Sequence, residues 1–226
     1  MPGKIITVAQ SKGGAGKSTV AVNFAIDSAK DGYNVLLCDT EKSGTTLDYQ
    51  SRDDDSLTII DGYDKQFPKM LDVYRNSFDL IIIDTAGANV DIDGDGENFQ
   101  ETLNHKILSK TDLLVIPVEP SPVAIRKSYR FFQSIEKYID MARGNLDALV
   151  VVNKYSTKTK LSKELISDLP DITDIKISEN RIRLAEVVKR AEMDLKSVNE
   201  IAPGENVAVD LRRLRKEVLE MANKEA

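Results

Sequence analysis

Apolar residues along the chain fall into short runs that are separated by longer stretches of mixed character. Five of these runs are rich in leucine and β-branched residues, and they predict strands at residues 4–9, 34–39, 80–84, 112–118 and 148–153. Strands that are apolar throughout are typical of a sheet that is covered on both faces. Their alternation with helical stretches predicts an α/β fold with a doubly wound, mostly parallel sheet and helices on both faces.

The stretches between the strands show the spacing of amphipathic helices. Helices are predicted at residues 17–30, from after residues 120–122 to about 142, at about 181–195 and at about 207–222. In the second of them one face is predicted to carry Ile125, Tyr129, Phe132 and Ile135, and in the last an apolar stripe is formed by Leu211, Leu214, Val218 and Met221. We expect the last two helices to pack on a single domain that comprises residues 1–226.

Composition narrows the class of protein. Hydrophobic residues make up 41% of the 226 residues, which is enough for a buried core. No apolar run approaches the roughly 18 residues of a membrane span, and the N-terminus lacks a secretory signal, so we expect a cytoplasmic protein without a membrane partner. The one cysteine, Cys38, lies in an apolar run; it permits no internal disulfide or cysteine-ligated cluster and is expected in the core.

Charge is unevenly distributed along the chain. The formal net charge is -6, which argues against a protein that coats nucleic acid with its whole surface. Residues 1–100 carry 9 basic and 17 acidic side chains, whereas residues 101–226 carry 22 and 20. Two local clusters could bind a polyanion or be ordinary solvated surface: the first holds Lys154, Lys158, Lys160 and Lys163, and the second holds Arg212, Arg213, Arg215 and Lys216.

The segment with the clearest chemistry is KGGAGKST at residues 12–19, directly after the first strand and at the start of a helix. Glycines let consecutive N–H groups curl around phosphates, and the helix N-terminus faces the same anion. Lys17 is predicted to neutralise the β and γ phosphates and Ser18 to bind magnesium, although Ser11 stands where the usual pattern begins with glycine. The predicted site for ATP and Mg²⁺ therefore comprises Gly13, Gly14, Ala15, Gly16, Lys17, Ser18 and Thr19.

A lysine directly before the two glycines makes residues 10–19, QSKGGAGKST, resemble the deviant Walker A loop of the ParA/MinD family of P-loop ATPases. The resemblance implies that Lys12 reaches across a homodimer, with ATP between its subunits, to the partner's phosphates. An arginine finger acts in the same way. The alternative interpretation is that Lys12 only adds positive charge to its own loop.

Two acidic segments resemble the other nucleotide-binding motifs of this family. Residues 79–87, DLIIIDTAG, resemble the Walker B strand and switch II, which implies that Asp84 holds magnesium through a water and that Gly87 lets the loop respond to the γ-phosphate. Switch I usually reads Asp-x-Asp-Pro-Gln, whereas residues 39–43 read DTEKS. The resemblance therefore implies that Glu41 or Asp39 positions the attacking water, and the missing proline and glutamine leave the rate of hydrolysis open.

Two further segments bear on specificity. Residues 150–154 read VVVNK, and a guanine-specific site would have aspartate where Ser156 stands, so we favour adenine with Asn153 as its contact. Residues 91–96 imitate the start of a calcium loop. The twelfth position of that loop is Thr102 rather than glutamate, so we interpret the segment as an exposed acidic loop.

The resemblance covers nearly the whole chain, and without a DNA-reading extension before the P-loop the chain is similar to the small ParA proteins of plasmid partition systems. It implies a slow ATPase that dimerises with ATP, binds non-specific DNA of the nucleoid, and is discharged by a ParB-like centromere-binding protein. One alternative is the positioning of a protein cargo, such as a chemoreceptor cluster or a microcompartment. Another is a metabolic P-loop kinase or ligase, although we find no convergent substrate residues.

Overall fold

The computed structural model describes residues 2–42, 44–52, 54–87, 98–142, 146–156 and 158–224. Within these residues, six strands form a sheet in the order β3-β2-β4-β1-β5-β6, and every neighbouring pair is parallel. The strands are β1 Lys4–Val8, β2 Val35–Asp39, β3 Leu57–Asp61, β4 Leu80–Asp84, β5 Leu113–Val118 and β6 Asp147–Val152. The predicted α/β fold with a parallel sheet is therefore confirmed.

Helices connect the strands and close the chain. They are α1 Lys17–Lys30, α2 Phe67–Tyr74, α3 Phe99–Leu108, α4 Pro122–Ala142, α5 Lys160–Ser167, α6 Glu186–Met193, α7 Val198–Ile201 and α8 Asn206–Ala222, with short 3₁₀ helices at Thr45–Ser51 and Leu169–Asp171. None of the helices in the described part of the chain combines the length and the apolar character that crossing a bilayer requires.

Both faces of the sheet are covered, because successive side chains of a strand point to opposite faces. Along β1, Ile6 and Val8 pack with α1 and α8, whereas Ile5 packs with α2 and α3. A third apolar cluster joins β5 and β6 to α4 and α5. The predicted stripe of α8 is buried, and Cys38 lies fully buried between β2 and the helices of the second face. Both predictions of core packing are confirmed.

Three sequence predictions need correction. Strand β3 was not predicted, because it lies at the edge of the sheet and its residues are only partly buried, with Thr58 and Asp61 exposed. The helix predicted at 181–195 begins only at Glu186: Ile182 N donates to Val152 O and Leu184 N donates to Tyr155 O, so this part of the chain runs extended beyond the end of β6. Tyr129 is 46% exposed rather than part of the buried face of α4.

Candidate functional site

The loop between β1 and α1 lies at the carboxyl edge of the sheet, near its centre. Gly14 and Gly16 have φ values of +76° and +92°, a region in which glycine carries no steric cost. A Cβ added to Gly16 would lie 2.1 Å from Asn153 Nδ2, whereas one added to Gly13 or Gly14 would meet nothing within 4 Å. The loop is therefore tight against β6 on one side and open on the other, which leaves its N–H groups room for an anion.

Residues at the end of β6 hold this loop in place. Asn153 Nδ2 donates to Ala15 O at 2.8 Å, and Asn153 Oδ1 accepts from Lys154 N at 2.9 Å. The ammonium of Lys154 donates to Gly14 O at 2.7 Å. The structure thus places the Lys154 ammonium against the P-loop rather than on a separate basic surface. Asn153 supports the same loop, and this contact does not depend on the identity of a bound base.

Lys17, Ser18 and Asp84 meet at the start of α1. Lys17 is only 7% exposed; burial lowers the pKa of its ammonium, while the nearby carboxylates of Asp84 and Glu41 oppose that shift. The Ser18 side chain lies close to Asp84. Burial raises the pKa of Asp84 to about 6, because the neighbouring hydroxyls of Ser18 and Thr46 offset only part of the desolvation. The three side chains form a buried cluster in which a cation and a carboxylate face the same space.

One oxygen of Asp84 has no partner in the described part of the chain. Asp84 Oδ2 accepts from Thr46 Oγ1 at 2.8 Å, whereas the buried Oδ1 makes no hydrogen bond. A buried unpaired acceptor is costly, and an ion or a water bound to this oxygen would remove that cost. Carboxylate and hydroxyl oxygens are the ligands that Mg²⁺ prefers. The residues present therefore fit a magnesium ion, held by Ser18 and Asp84, beside phosphates bound by Lys17 and the loop.

Asp39 shapes the switch I segment. Its carboxylate is fully buried and accepts from Glu41 N and Thr46 N, both at 3.0 Å. Any side chain on Gly44 would meet this carboxylate at 2.0 Å. Burial raises the pKa of Asp39, and these two N–H donors oppose the shift. Since both oxygens of Asp39 hold the turn, the exposed carboxylate of Glu41 is the freer of the two candidates for positioning water.

Lys12 lies on the outer side of the loop. Its Nζ is 3.0 Å from Glu119 Oε2, and the two side chains are 21% and 35% exposed. Lys12 also lines a surface groove of about 560 Å³ together with Arg126, Lys127 and Arg130 of α4. The two lysines of the P-loop therefore occupy different environments, with Lys17 buried and Lys12 at the rim.

A smaller cavity of about 290 Å³ adjoins the loop on the side of β6. Leu184, Val188 and Leu211 supply apolar walls, and the polar edge consists of Thr19, Asn153, Lys154, Arg183, Lys189 and Glu192. An apolar wall with polar groups at its edge suits a nucleobase. The predicted base contact of Asn153 thus lies at the edge of a suitable cavity, although its amide nitrogen is already bonded to the loop.

The predicted C-terminal basic cluster is only partly free, because two of its arginines are held by neighbouring groups. Arg215 is ion-paired with Asp31 and donates to Ser28 Oγ at 3.2 Å, and its side chain is only 12% exposed. Arg212 donates to Asn199 and to Pro203 O. Of the three candidate arginines, Arg213 alone is exposed without a hydrogen-bond or ion-pair partner among the described residues. DNA contact by Arg212, Arg213 and Arg215 stays a prediction, and Arg215 is the least accessible of the three. In the other cluster, Lys158 is exposed and Lys160 lies 3.7 Å from Glu164.

Two residues that support the site were not predicted. Thr46 bonds to both strand-end carboxylates, Asp84 and Asp39. Arg52 donates to Leu195 O at 2.7 Å and to the two carboxylate oxygens of Glu200 at 2.8 and 3.2 Å. The same carboxylate forms an ion pair with Lys30. The 3₁₀ helix Thr45–Ser51 is therefore anchored at one end to the predicted metal-binding carboxylate and at the other to the start of α7.

A glycine-rich loop at the central carboxyl edge of a parallel sheet, with a buried lysine and an adjacent strand-end carboxylate, defines a P-loop nucleotide-binding protein. Comparison with known families agrees. The family described as the CobQ/CobB/MinD/ParA nucleotide-binding domain matches residues 6–198, and the chain belongs to this family. The resemblance to ParA/MinD proteins is therefore confirmed.

Individual relatives are distant. The chain is 21% identical over 219 residues to the maintenance of carboxysome distribution protein A of Halothiobacillus neapolitanus, which covers 95% of each chain. Cobyrinic acid a,c-diamide synthase of Mycobacterium smegmatis, solved with an ATP analogue and magnesium, superposes with a TM-score of 0.76 at 16% identity over 98% of this chain and 96% of that one. A putative plasmid partition protein of Borrelia burgdorferi bound to AMPPNP gives 0.66 at 18% over 97% and 98%. The two structures show the shared fold.

Proposed function

We propose that this protein is an ATPase that binds ATP with Mg²⁺, pairs with a second copy over the nucleotides, and uses the paired state to hold non-specific DNA while it positions a plasmid or chromosomal cargo. The observation that carries the proposal is the separation of the two P-loop lysines. Buried Lys17 faces Asp84 and serves its own nucleotide, whereas Lys12 lies at the rim and pairs with the half-buried Glu119. Its move to a second subunit would exchange this one carboxylate contact for contacts with phosphates, which are charge-assisted as well.

Each residue of the site has a separate role in this proposal. Asn153 and Lys154 keep the loop in its anion-binding conformation, Lys17 and the loop N–H groups hold the phosphates, and Ser18 with Asp84 holds magnesium. ATP, when bound, supplies the phosphoanhydride bond whose hydrolysis ends the paired state. Glu41 positions the attacking water, and Lys12 of the second copy adds positive charge as negative charge shifts. A ParB-like protein would accelerate this step.

A second candidate is the positioning of a protein cargo, such as a microcompartment or a chemoreceptor cluster. It is favoured by the match to the carboxysome distribution protein, because that match covers 95% of both chains rather than the nucleotide site alone. Both candidates share the same ATP-gated pairing, so a single experiment tests what they have in common.

The test is size-exclusion chromatography with light scattering, with no nucleotide, with Mg-ADP and with a slowly hydrolysed ATP analogue. We expect a dimer with the analogue only. Lys12→Ala should still bind nucleotide through Lys17 but lose pairing and stimulated turnover, and Lys17→Ala should lose nucleotide. Lys69→Ala, at an exposed lysine on α2, is the matched control.

DNA retention under the same three conditions completes the test. A monomer with bound analogue at micromolar protein would contradict the proposal, and so would DNA binding that is as strong with ADP or unaffected by salt. A metabolic kinase or ligase predicts nucleotide binding without pairing. Pull-down of cargo DNA or of a protein cargo with the analogue-bound dimer separates the two candidates.

A further inference from the structure

Glu192, near the end of α6, contacts the segment that is predicted to bind the nucleotide. Its Oε1 accepts a hydrogen bond from Thr19 Oγ1 at 2.6 Å, whereas its Oε2 makes no hydrogen bond or ion pair with the described residues. Thr19 directly follows Ser18, which is predicted to bind magnesium. The structure therefore places one free carboxylate oxygen beside the nucleotide site, although Glu192 belongs to none of the sequence motifs.

Two cavities meet at Glu192. The first is the cavity of about 290 Å³ that suits a nucleobase, and we call it the base cavity. The second, of about 550 Å³, lies between α1, the 3₁₀ helix Thr45–Ser51 and α6. Thr19, Lys189 and Glu192 line both cavities, so these three side chains form the boundary between them.

The covalent structure of a nucleotide brings its ribose to this boundary. The ribose joins the phosphates, which the loop that ends at Thr19 is predicted to hold, to the base, which fits the base cavity. Thr19 belongs both to the loop and to the lining of the base cavity, so the ribose passes beside it. The ribose hydroxyls are therefore expected at the polar edge that Thr19 shares with Glu192.

Ribose hydroxyls need acceptors, and Glu192 is a free acceptor at this edge. It is the only carboxylate among the described residues that line the base cavity. Three other polar side chains of the edge already bond to neighbouring groups, namely those of Asn153, Lys154 and Arg183. A carboxylate accepts bonds from two hydroxyls at once, and such charge-assisted bonds are stronger than neutral ones. An acidic side chain binds a ribose hydroxyl in the same way in dinucleotide sites.

The carboxylate of Glu192 is poorly placed for the helix that carries it. It lies in the last turn of α6, where the macrodipole favours positive charge. It also lies near the predicted phosphate site, whose charge repels it. Lys189 stands three residues earlier on the same face, lines the same two cavities, and makes no hydrogen bond or ion pair in the described part of the chain. Lys189 therefore offsets the repulsion, and a hydroxyl ligand gives the carboxylate a use at this position.

We infer that Glu192 is a specificity-determining residue that accepts hydrogen bonds from the ribose hydroxyls of the nucleotide and thereby selects ribonucleotides over deoxyribonucleotides. Thr19 orients the carboxylate through its own hydroxyl. A deoxynucleotide leaves the carboxylate without its donor, and a site that bonds to a hydroxyl discriminates against analogues that lack it. The inference rests on the proposed function for the presence of a nucleotide, but it is independent of pairing, DNA and cargo.

The experiment compares the Kd values of ADP, 2′-deoxy-ADP and 3′-deoxy-ADP, measured by isothermal titration calorimetry with Mg²⁺ so that no hydrolysis intervenes. We expect wild-type protein to bind at least one deoxy form about tenfold or more weakly than ADP, because a hydrogen bond to a charged group is lost. Glu192→Ala should bind ADP more weakly and bring the three Kd values to within about twofold of one another. Glu186→Ala removes an exposed glutamate at the start of the same helix and should keep the wild-type ratio.

The outcomes separate the inference from the function on which it rests. Wild-type protein that binds all three nucleotides equally well would overturn the inference and leave the proposed function standing. So would a Glu192→Ala variant that keeps the wild-type ratio, because the bond to Thr19 would then serve only to hold α6 on α1. Glu192→Gln keeps the shape of the side chain and the fold of α6 but loses the charge, so its ratio should fall below that of wild type; an unchanged ratio would contradict the inference. Wild-type protein that binds none of the three nucleotides would refute the proposed function itself.

Discussion

Thr46 Oγ1 donates a hydrogen bond to Asp84 Oδ2 at 2.8 Å, and the backbone N–H of the same residue donates to Asp39. One fully buried threonine thus joins the carboxylates at the ends of two neighbouring strands, whose Cα atoms are paired in register. With Oδ2 occupied in this way, the unpaired Oδ1 of Asp84 is left for a metal ion. Thr46 therefore fixes the orientation of a predicted magnesium ligand.

Replacing Thr46 should consequently weaken magnesium binding more than folding. We expect Thr46→Val to raise the Mg²⁺ concentration needed for nucleotide binding by about 10- to 100-fold, the usual effect of losing a hydrogen bond behind a metal ligand. Thr46→Ser should restore most of the affinity, because it keeps the hydroxyl. The measurement is a Mg²⁺ titration of a fluorescent ATP analogue. Thr45→Val, at an exposed neighbouring threonine, is the control, and an equal shift in both valine variants would rule out this role.

How much of this site the sequence could predict depends on the kind of signal. The P-loop and the strand-end Asp84 follow from local patterns, because glycine spacing and an apolar run are readable without the fold. Thr46 and Arg52 act through contacts with residues 38 and 148 positions away, so nothing in their own segment identifies them. Arg215 shows that a local pattern can also mislead. The basic run at 212–216 predicts an open surface, but Arg215 lies largely buried against α1, where it forms an ion pair with Asp31. Edge strand β3 lacked the continuous apolar run by which the other strands were found.

Two glycines with the same positive φ angle allow backbone strain and steric clash to be measured separately. Gly16 and Gly32 both have φ of +92°, but only Gly16 faces a close neighbour, Asn153 Nδ2. Gly32→Ala should cost about 1 kcal/mol of unfolding free energy, from the left-handed conformation alone, and leave nucleotide binding unchanged. Gly16→Ala must also displace the Asn153 amide, so we expect nucleotide affinity to fall by about tenfold or more.

Chemical denaturation and nucleotide titration of both alanine variants provide the measurement. Asn153→Ala in the Gly16→Ala background tests the clash directly, since removing the amide frees the space that the new methyl needs. Equal nucleotide affinity in the two single variants would show that the contact between Gly16 and Asn153 does not shape the loop.

The ion pairs of Glu200 with Arg52 and Lys30 should stabilise the protein in a way that is lost at acidic pH. Burial alone would raise the pKa of Glu200, but hydrogen bonds from Arg52, Lys30 and Ser197 N outweigh it and lower the pKa to about 2. The unfolded value is about 4.3, so the network stabilises the protein fully above that pH. Its contribution disappears as pH falls from about 4.3 towards the folded-state pKa.

Glu200→Gln should therefore lower the Tm at neutral pH, and the difference from wild type should shrink as the solution is acidified through this range. Thermal unfolding of both proteins as a function of pH is the measurement. Glu205→Gln serves as the control, because Glu205 is exposed and its side chain makes no hydrogen bond or ion pair in the described part of the chain. A difference that stays constant down to the lowest pH would show that the Glu200 network does not titrate with folding.

Helix α8 packs against the elements that carry the P-loop, so we expect the C-terminal segment to unfold together with the nucleotide site. Leu214 is fully buried in the apolar cluster that also contains Phe24 of α1 and Ile6 of β1. Leu214→Ala should lower the unfolding free energy by about 2–5 kcal/mol, the usual cost of such a cavity. Leu161→Ala, at a leucine that is 48% exposed, should change the unfolding free energy by less than about 0.5 kcal/mol.

Urea denaturation, followed by both circular dichroism and release of bound nucleotide, is the measurement. Both signals should show one shared transition, and in Leu214→Ala this transition should shift to a lower urea concentration for both signals. Two separate transitions, with nucleotide release unaffected by the substitution, would mean that α8 folds independently of the nucleotide site.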